Sequence, residues 1–324
     1  MISYDDDRKW NWKVNQDHVS ALLALGYECL KNTDLESASK FFDEALHEDF
    51  ERSEVLYALK CCNFWREPTR EADLMEDAFA RGDFLAAKWR TFRSFLARIS
   101  GDSEMAAYAF KRMVFGMALG AYLSVPEDSR PKPDPEAEFR LGRCRKALGD
   151  YETALRHLEK AVAAKRDSGK YLAELADCLA LSGEQRLSKS RFREAFLLGP
   201  EAVELDYLES DMIRLLVDKV KERGFEPATL KEWIPVYGEL TGLFDVRPEL
   251  GPSESARLNS SMFQLENELR ENPAQADALR PRLLNRYFWL ASHYRTISAE
   301  DARIEKILLK IRLLDEDIFQ QYVS

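Results

Sequence analysis

The sequence predicts an all-α chain of about fifteen helices, packed as antiparallel pairs, with essentially no sheet. Three observations predict it. Small and large apolar residues recur at one spacing in three places. Gly, Asn, Ser and Asp stand between them, where one helix must stop and the next must start. No alternation of apolar and polar residues competes with the helical period.

The first hairpin is read from Leu25-Gly26, followed by Ala38, Phe42 and Ala45. The second is read from Leu141-Gly142, followed by Ala154, Leu158 and Ala161. The third is Leu175-Ala176, followed by Ser188, Phe192, Ala195 and Pro200. Small residues let two helix backbones approach to the short end of the helix-packing range. The large residue between them (Phe42, Leu158 or Phe192) fills the remaining space. The turns are readable as well. Leu148-Gly149-Asp150 places Gly where a left-handed C-cap is wanted and Asp where the next helix needs an N-cap. Leu181-Ser182-Gly183-Glu184 and Asn32-Thr33-Asp34-Leu35 serve the same purpose.

These residues and their 34-residue period resemble the tetratricopeptide (TPR) family. The matching units fall at roughly 19–52, 135–168 and 169–202. The resemblance implies a TPR-like α-solenoid, a right-handed superhelix of antiparallel helix pairs, here with irregular helical insertions.

The remaining segments fit less closely. Arg81-Gly82-Asp83-Phe84 with Ala87 reads as a turn, and so does Ser100-Gly101-Asp102 with Ala106 and Phe110. The two overlap, so the repeat phase over 53–123 stays open. Residues 124–135 carry Pro126, Pro131, Pro133 and Pro135 and read as a linker or long loop. Glu201 to Arg223 reads as one long amphipathic helix that caps the array and ends at Gly224. Leu230 to Pro252 is rich in aromatics, Gly and Pro and has no place in the repeat. A weaker hairpin is read at 284–317 from Leu290-Ala291, Ile307 and Asp315, with Ser298 and Asp301 as a capping pair. The expected organisation is an N-terminal array (1–123), the Pro-rich segment (124–135), a central array with its capping helix (136–223) and a C-terminal helical region (224–324).

Composition bounds the function. The chain has 324 residues, 45% of them hydrophobic, so it has material for a packed core. Its net charge of −10 disfavours non-specific binding to nucleic acid or anionic membrane. The charge is uneven. Asp34 to Glu54 is acidic, whereas Phe84 to Gly101 carries Lys88, Arg90, Arg93 and Arg98 and no acid. That asymmetry favours a charged protein partner or self-association. Five cysteines with no CxxC pair point to a reducing compartment. The acidic start and the lack of a membrane-length apolar run lead to a cytoplasmic expectation.

No catalytic constellation emerges. His18, His47, His157 and His293 are not at metal-ligand spacing, and there is no HExxH, Walker loop or GxGxxG. Gly116 and Gly120 read as helix-packing glycines. Cys61 and Cys62 read as small buried hydrophobes, and Cys144 and Cys178 as packing at equivalent repeat positions. Lys88 to Phe95 interleaves bases with aromatics, but Leu85, Trp89, Phe92, Leu96 and Ile99 form a core stripe. No cofactor or metal is expected.

The TPR resemblance implies a concave groove lined by the first helix of each repeat. Carried over by position, it holds Leu23, Tyr27 and Leu30, then Phe139, Arg143 and Lys146, then Lys170 and Asp177. Leu23 and Tyr27 stand where the family's carboxylate clamp has Lys and Asn, so that clamp is not implied. The expectation is a non-catalytic scaffold or adaptor that binds an acidic or amphipathic segment of a protein partner. The alternative is a structural subunit of a larger assembly, docking through its charged regions or through Trp233 to Phe244.

Overall fold

The computed structural model describes residues 4–99, 101, 103–126, 134–246, 250–298 and 302–324, with side chains from His18 onward. Among these residues there are fifteen α-helices and no strand. Helices adjacent in sequence pack as neighbouring pairs. The chain divides into two compact units, residues 1–157 and 158–324.

The first unit holds α1 (Tyr4–Lys31), α2 (Leu35–Glu48), α3 (Ser53–Asp73), α4 (Ala78–Leu96), α5 (Glu104–Leu123) and α6 (Pro135–Ala147). It ends within α7 (Tyr151–Ala164). Each helix packs on the next through α6, and α1 also packs on α5. Trp65, Phe92, Phe110 and Phe115 are fully buried. Phe92 meets Trp65 at 5.3 Å and Phe110 at 5.5 Å between ring centres. This aromatic core explains Lys88 to Phe95: Leu85, Trp89 and Phe92 face inward, and Arg90 and Arg93 face solvent. α6 follows the Pro-rich segment and still packs on α5, so this unit continues past that segment. Pro131 and Pro133 lie outside the described residues.

The second unit holds α8 (Gly169–Leu181), α9 (Gln185–Leu198), α10 (Asp211–Lys221), α11 (Leu230–Leu240), α12 (Pro252–Glu271), α13 (Ala276–Ile297), α14 (Ala302–Leu314) and α15 (Glu316–Val323). Its core is organised around α11, which packs on α9, α10, α13 and α15. Trp233, Ile234, Val236 and Tyr237 are buried.

The three sequence-read hairpins close with the same backbone bonds. Asp34, Asp150 and Glu184 donate their N–H groups to the carbonyls of Cys29, Arg145 and Leu179, at 2.9, 2.9 and 2.8 Å. Thr33, Gly149 and Gly183 precede them with φ of 64°, 84° and 93°. This is a Schellman stop, which satisfies carbonyls that the helix end leaves open. Asp34 and Asp150 then accept from the N–H groups of Ser37 and Thr153, at 2.9 and 3.3 Å, and start the next helix. Ala38, Phe42 and Ala45 are fully buried, as are Ala154, Leu158 and Ala161, and Ser188, Phe192 and Ala195. Gly26 carries the close approach: a Cβ there would collide with the Phe42 ring. Its neighbour Leu25 is 49% exposed.

Several sequence expectations need correction. Arg81-Gly82-Asp83-Phe84 is not a turn but the first turns of α4. Gly82 is needed because a Cβ there would strike the Tyr122 ring. The turn lies at Gly101 (φ 107°), and Ser103 caps α5 by accepting from the Ala106 N–H at 3.1 Å. Ser100 and Asp102 lie outside the described residues. The stretch 201–223 is not one helix: 3-10 turns at Pro200–Ala202 and Leu205–Tyr207 precede α10. The cause is Asp177, whose carboxylate accepts from the Glu209 and Ser210 N–H groups at 2.9 and 2.8 Å. That holds the backbone in an extended entry to α10. Gly116 is tight, with Thr33 Cγ2 3.2 Å from the position of a Cβ, but Gly120 has open space. Asp301 lies outside the described residues, and Ser298 is the C-cap of α13.

Candidate functional site

The sequence-read groove residues are mostly committed to packing. Leu23, Tyr27, Leu30, Phe139, Arg143, Lys146 and Asp177 are buried, and Lys170 is half-buried. Tyr27 packs on Phe42, with ring centres 5.3 Å apart, and its hydroxyl donates to Glu54 Oε1 at 3.4 Å. Arg143 lies 4.4 Å from the ring centre of Phe139. Lys170 is 4.0 Å from Glu204, and Asp177 fixes the entry to α10. A ligand reaching these side chains would have to displace packed neighbours. Trp233 to Phe244 forms α11 and the turn after it, with Trp233, Ile234, Val236, Tyr237 and Phe244 buried in the second unit.

One accessible feature of the second unit is a cleft of about 460 Å³ between α9, α12 and α13. α9 presents Arg191, Glu194, Leu197 and Leu198 from two consecutive turns. α12 presents Glu254, Arg257, Leu258 and Ser261, also about two turns and some 10 Å of helix. α13 contributes Arg286 and Trp289. The rotation of the three helices follows from their buried sides. Phe192 and Phe196, Leu258 and Met262, and Leu283, Leu284 and Phe288 all point into the core.

Arg286 is the unusual group. Its Nε donates to Ser261 Oγ at 2.7 Å and its Nη1 to the Arg282 carbonyl at 3.0 Å, so the guanidinium is pinned. Burial pulls it below the usual arginine range; Glu232 opposes that shift and Arg282 adds to it. Glu232 is itself bound by Arg282 at 2.7 Å. Arg286 has no carboxylate partner among the described residues, which is costly for a largely buried charge. Arg257 is exposed and likewise has none. Both carboxylates in the cleft are engaged: Glu194 pairs with Arg191 at 2.8 Å, and Glu254 accepts from the Gly251 N–H at 2.9 Å.

Trp289 also lines the cleft. It is 4% exposed, and its buried indole N–H has no acceptor among the described residues. Its ring is held from behind by Arg193, 4.8 Å from the ring centre. Arg193 is held in turn by Glu239, Ser292 Oγ and the Val246 carbonyl, at 3.0, 2.9 and 2.7 Å. Leu197, Leu198 and Leu250 supply apolar walls, and Leu198 is 46% exposed. A pinned guanidinium and an exposed one beside leucines suit a carboxylate carried on an apolar body.

Sequence reasoning missed Arg257, Arg286 and Trp289. The signal was present as Arg282, Arg286 and Trp289 at helical spacing. Nothing local distinguishes that pattern from a solvated face.

The other reactive groups are in ordinary surroundings. All five cysteines are free, and burial pushes the Cys61 and Cys62 thiols up to about 12. His157 Nδ1 lies 2.6 Å from Glu138 Oε2, and burial lowers His293, with Arg303 adding to this. Among the described residues, no helix is long and apolar enough to cross a membrane. No family model and no curated protein sequence matches the chain.

Proposed function

We propose that this chain is a TPR-like helical-hairpin protein that binds an acidic, amphipathic segment of a partner protein and catalyses no reaction itself. The observation that carries this reading is the α9–α12–α13 cleft, where Arg286 is fixed and largely desolvated with no ion pair of its own among the described residues, the nearby Glu232 being bound by Arg282. A partner carboxylate would supply that ion pair, and leucines beside it on the partner would cover Leu197 and Leu198. The TPR-like part rests on three hairpins that share one Schellman stop and one small–large–small buried triplet. Four buried, free thiols are compatible with a reducing, cytoplasmic setting.

The test is fluorescence anisotropy with a labelled amphipathic peptide carrying Glu beside Leu, against the same peptide with Gln for Glu. The acidic peptide is expected to bind, and the neutral one roughly tenfold more weakly. Arg257→Glu, at an exposed position, is expected to weaken the acidic peptide by a similar factor while circular dichroism stays helical. Equal binding of both peptides, or unchanged binding by Arg257→Glu, would remove this cleft as the site.

A further inference from the structure

The second unit holds another cavity, of about 460 Å³, lined by none of the residues of the first cleft. It opens where α10 ends, α11 begins and α15 starts. One wall is aromatic. Phe225 stacks on Trp233 with ring centres 4.4 Å apart and planes 8° apart, and Tyr237 lies 5.9 Å from Phe225. Asp277, Asp315 and Asp317 line the rest. Asp315 accepts from the Ile318 N–H and is occupied as an N-cap. Asp277 and Asp317 are exposed, and their carboxylates form no ion pair or hydrogen bond among the described residues. With Glu226 against Arg223 and Arg280, the lining carries two more negative than positive charges.

Two observations identify what this lining selects. First, Tyr237 lines the cavity although it is only 6% exposed, and its hydroxyl makes no hydrogen bond among the described residues. Second, the chain's own Arg223 guanidinium already lies 5.1 Å from the centre of the Tyr237 ring. Arg223 therefore shows which chemistry the wall attracts, from an exposed position that a competitor can take. A guanidinium fits better than an ammonium. Its flat face stacks on aromatic rings, and its edge donors reach carboxylates and a phenol oxygen together.

We propose that this cavity receives the guanidinium of an arginine side chain presented by a partner protein, between the Phe225–Trp233–Tyr237 wall and the Asp277 and Asp317 carboxylates. The chain's net charge of −10 steers a basic segment toward it. It is a second recognition site, opposite in charge preference to the α9–α12–α13 cleft and independent of it.

The experiment is isothermal titration of the full chain with the capped peptide Gly-Gly-Arg-Gly-Gly, the same peptide with citrulline or lysine for arginine, and free L-arginine. Citrulline keeps the shape of arginine without its charge. The arginine peptide is expected to bind, with citrulline roughly tenfold weaker and lysine in between. Asp277→Asn/Asp317→Asn, two exposed positions whose carboxylates make no bond among the described residues, is expected to weaken the arginine peptide roughly tenfold. Arg223→Ala vacates the Tyr237 face and is expected to tighten it about two- to fivefold. Citrulline binding as tightly as arginine, an unaffected Asn double variant, or weaker binding by Arg223→Ala would each overturn the proposal. Free L-arginine bound more tightly than the peptide would overturn the assignment to a partner chain.

Discussion

Arg193 is 2% exposed at its side chain, and everything described around its guanidinium is polar or aromatic. Removing one member of such a buried pair strands the other. Arg193→Ala is therefore expected to cost about 3–5 kcal/mol in urea denaturation, because it leaves Glu239 desolvated and unpaired. Gly26 is constrained by shape, not charge. Gly26→Ala must push the Phe42 ring out of a filled core and is expected to cost about 1–3 kcal/mol. Asp34 couples folding to pH. The Ser37 backbone N–H and hydroxyl hold its carboxyl below the usual aspartate range. Its contribution is thus complete above about pH 4 and is lost as pH falls through the depressed value. Asp34→Asn keeps an acceptor but does not titrate, so the acid limb of its stability–pH curve should be shallower than that of wild type.

Elements were legible in the sequence wherever their determinants are local. The hairpin stops at Asn32–Asp34, Leu148–Asp150 and Leu181–Glu184 depend on a left-handed residue followed by a capping or helix-starting one, and both lie within four residues. Gly183→Ala is expected to cost about 1–2 kcal/mol by forcing a Cβ into the left-handed region. Two of the failures have long-range causes. Gly82 looked like a turn glycine because its purpose, space for Tyr122, is set forty residues later on α5. Residues 201–223 have the apolar stripe of one helix, but Asp177 on α8 captures the amides of Glu209 and Ser210. Asp177→Ala is expected to speed hydrogen exchange at those two amides and to cost on the order of 3 kcal/mol. Unchanged exchange there would show that the 3-10 turns hold themselves.

At the scale of the whole molecule, the sequence by itself determined the helical class, the hairpin pairing and the acidic character. Periodicity, turn chemistry and net charge are properties of neighbouring residues or of sums over residues. It also marked which positions face inward, but not what covers them. Leu23, Arg143 and Lys146 occupy groove positions by repeat numbering, yet they are buried. Only the tertiary structure decided where accessible donors and carboxylates gather. Arg191, Arg257 and Arg286 belong to three helices that become one cleft through packing on a shared core. Phe225, Asp277 and Asp317 converge in the same way at the other cavity. Whether a guanidinium has a counter-charge depends on neighbours brought from far along the chain, and no local pattern records that.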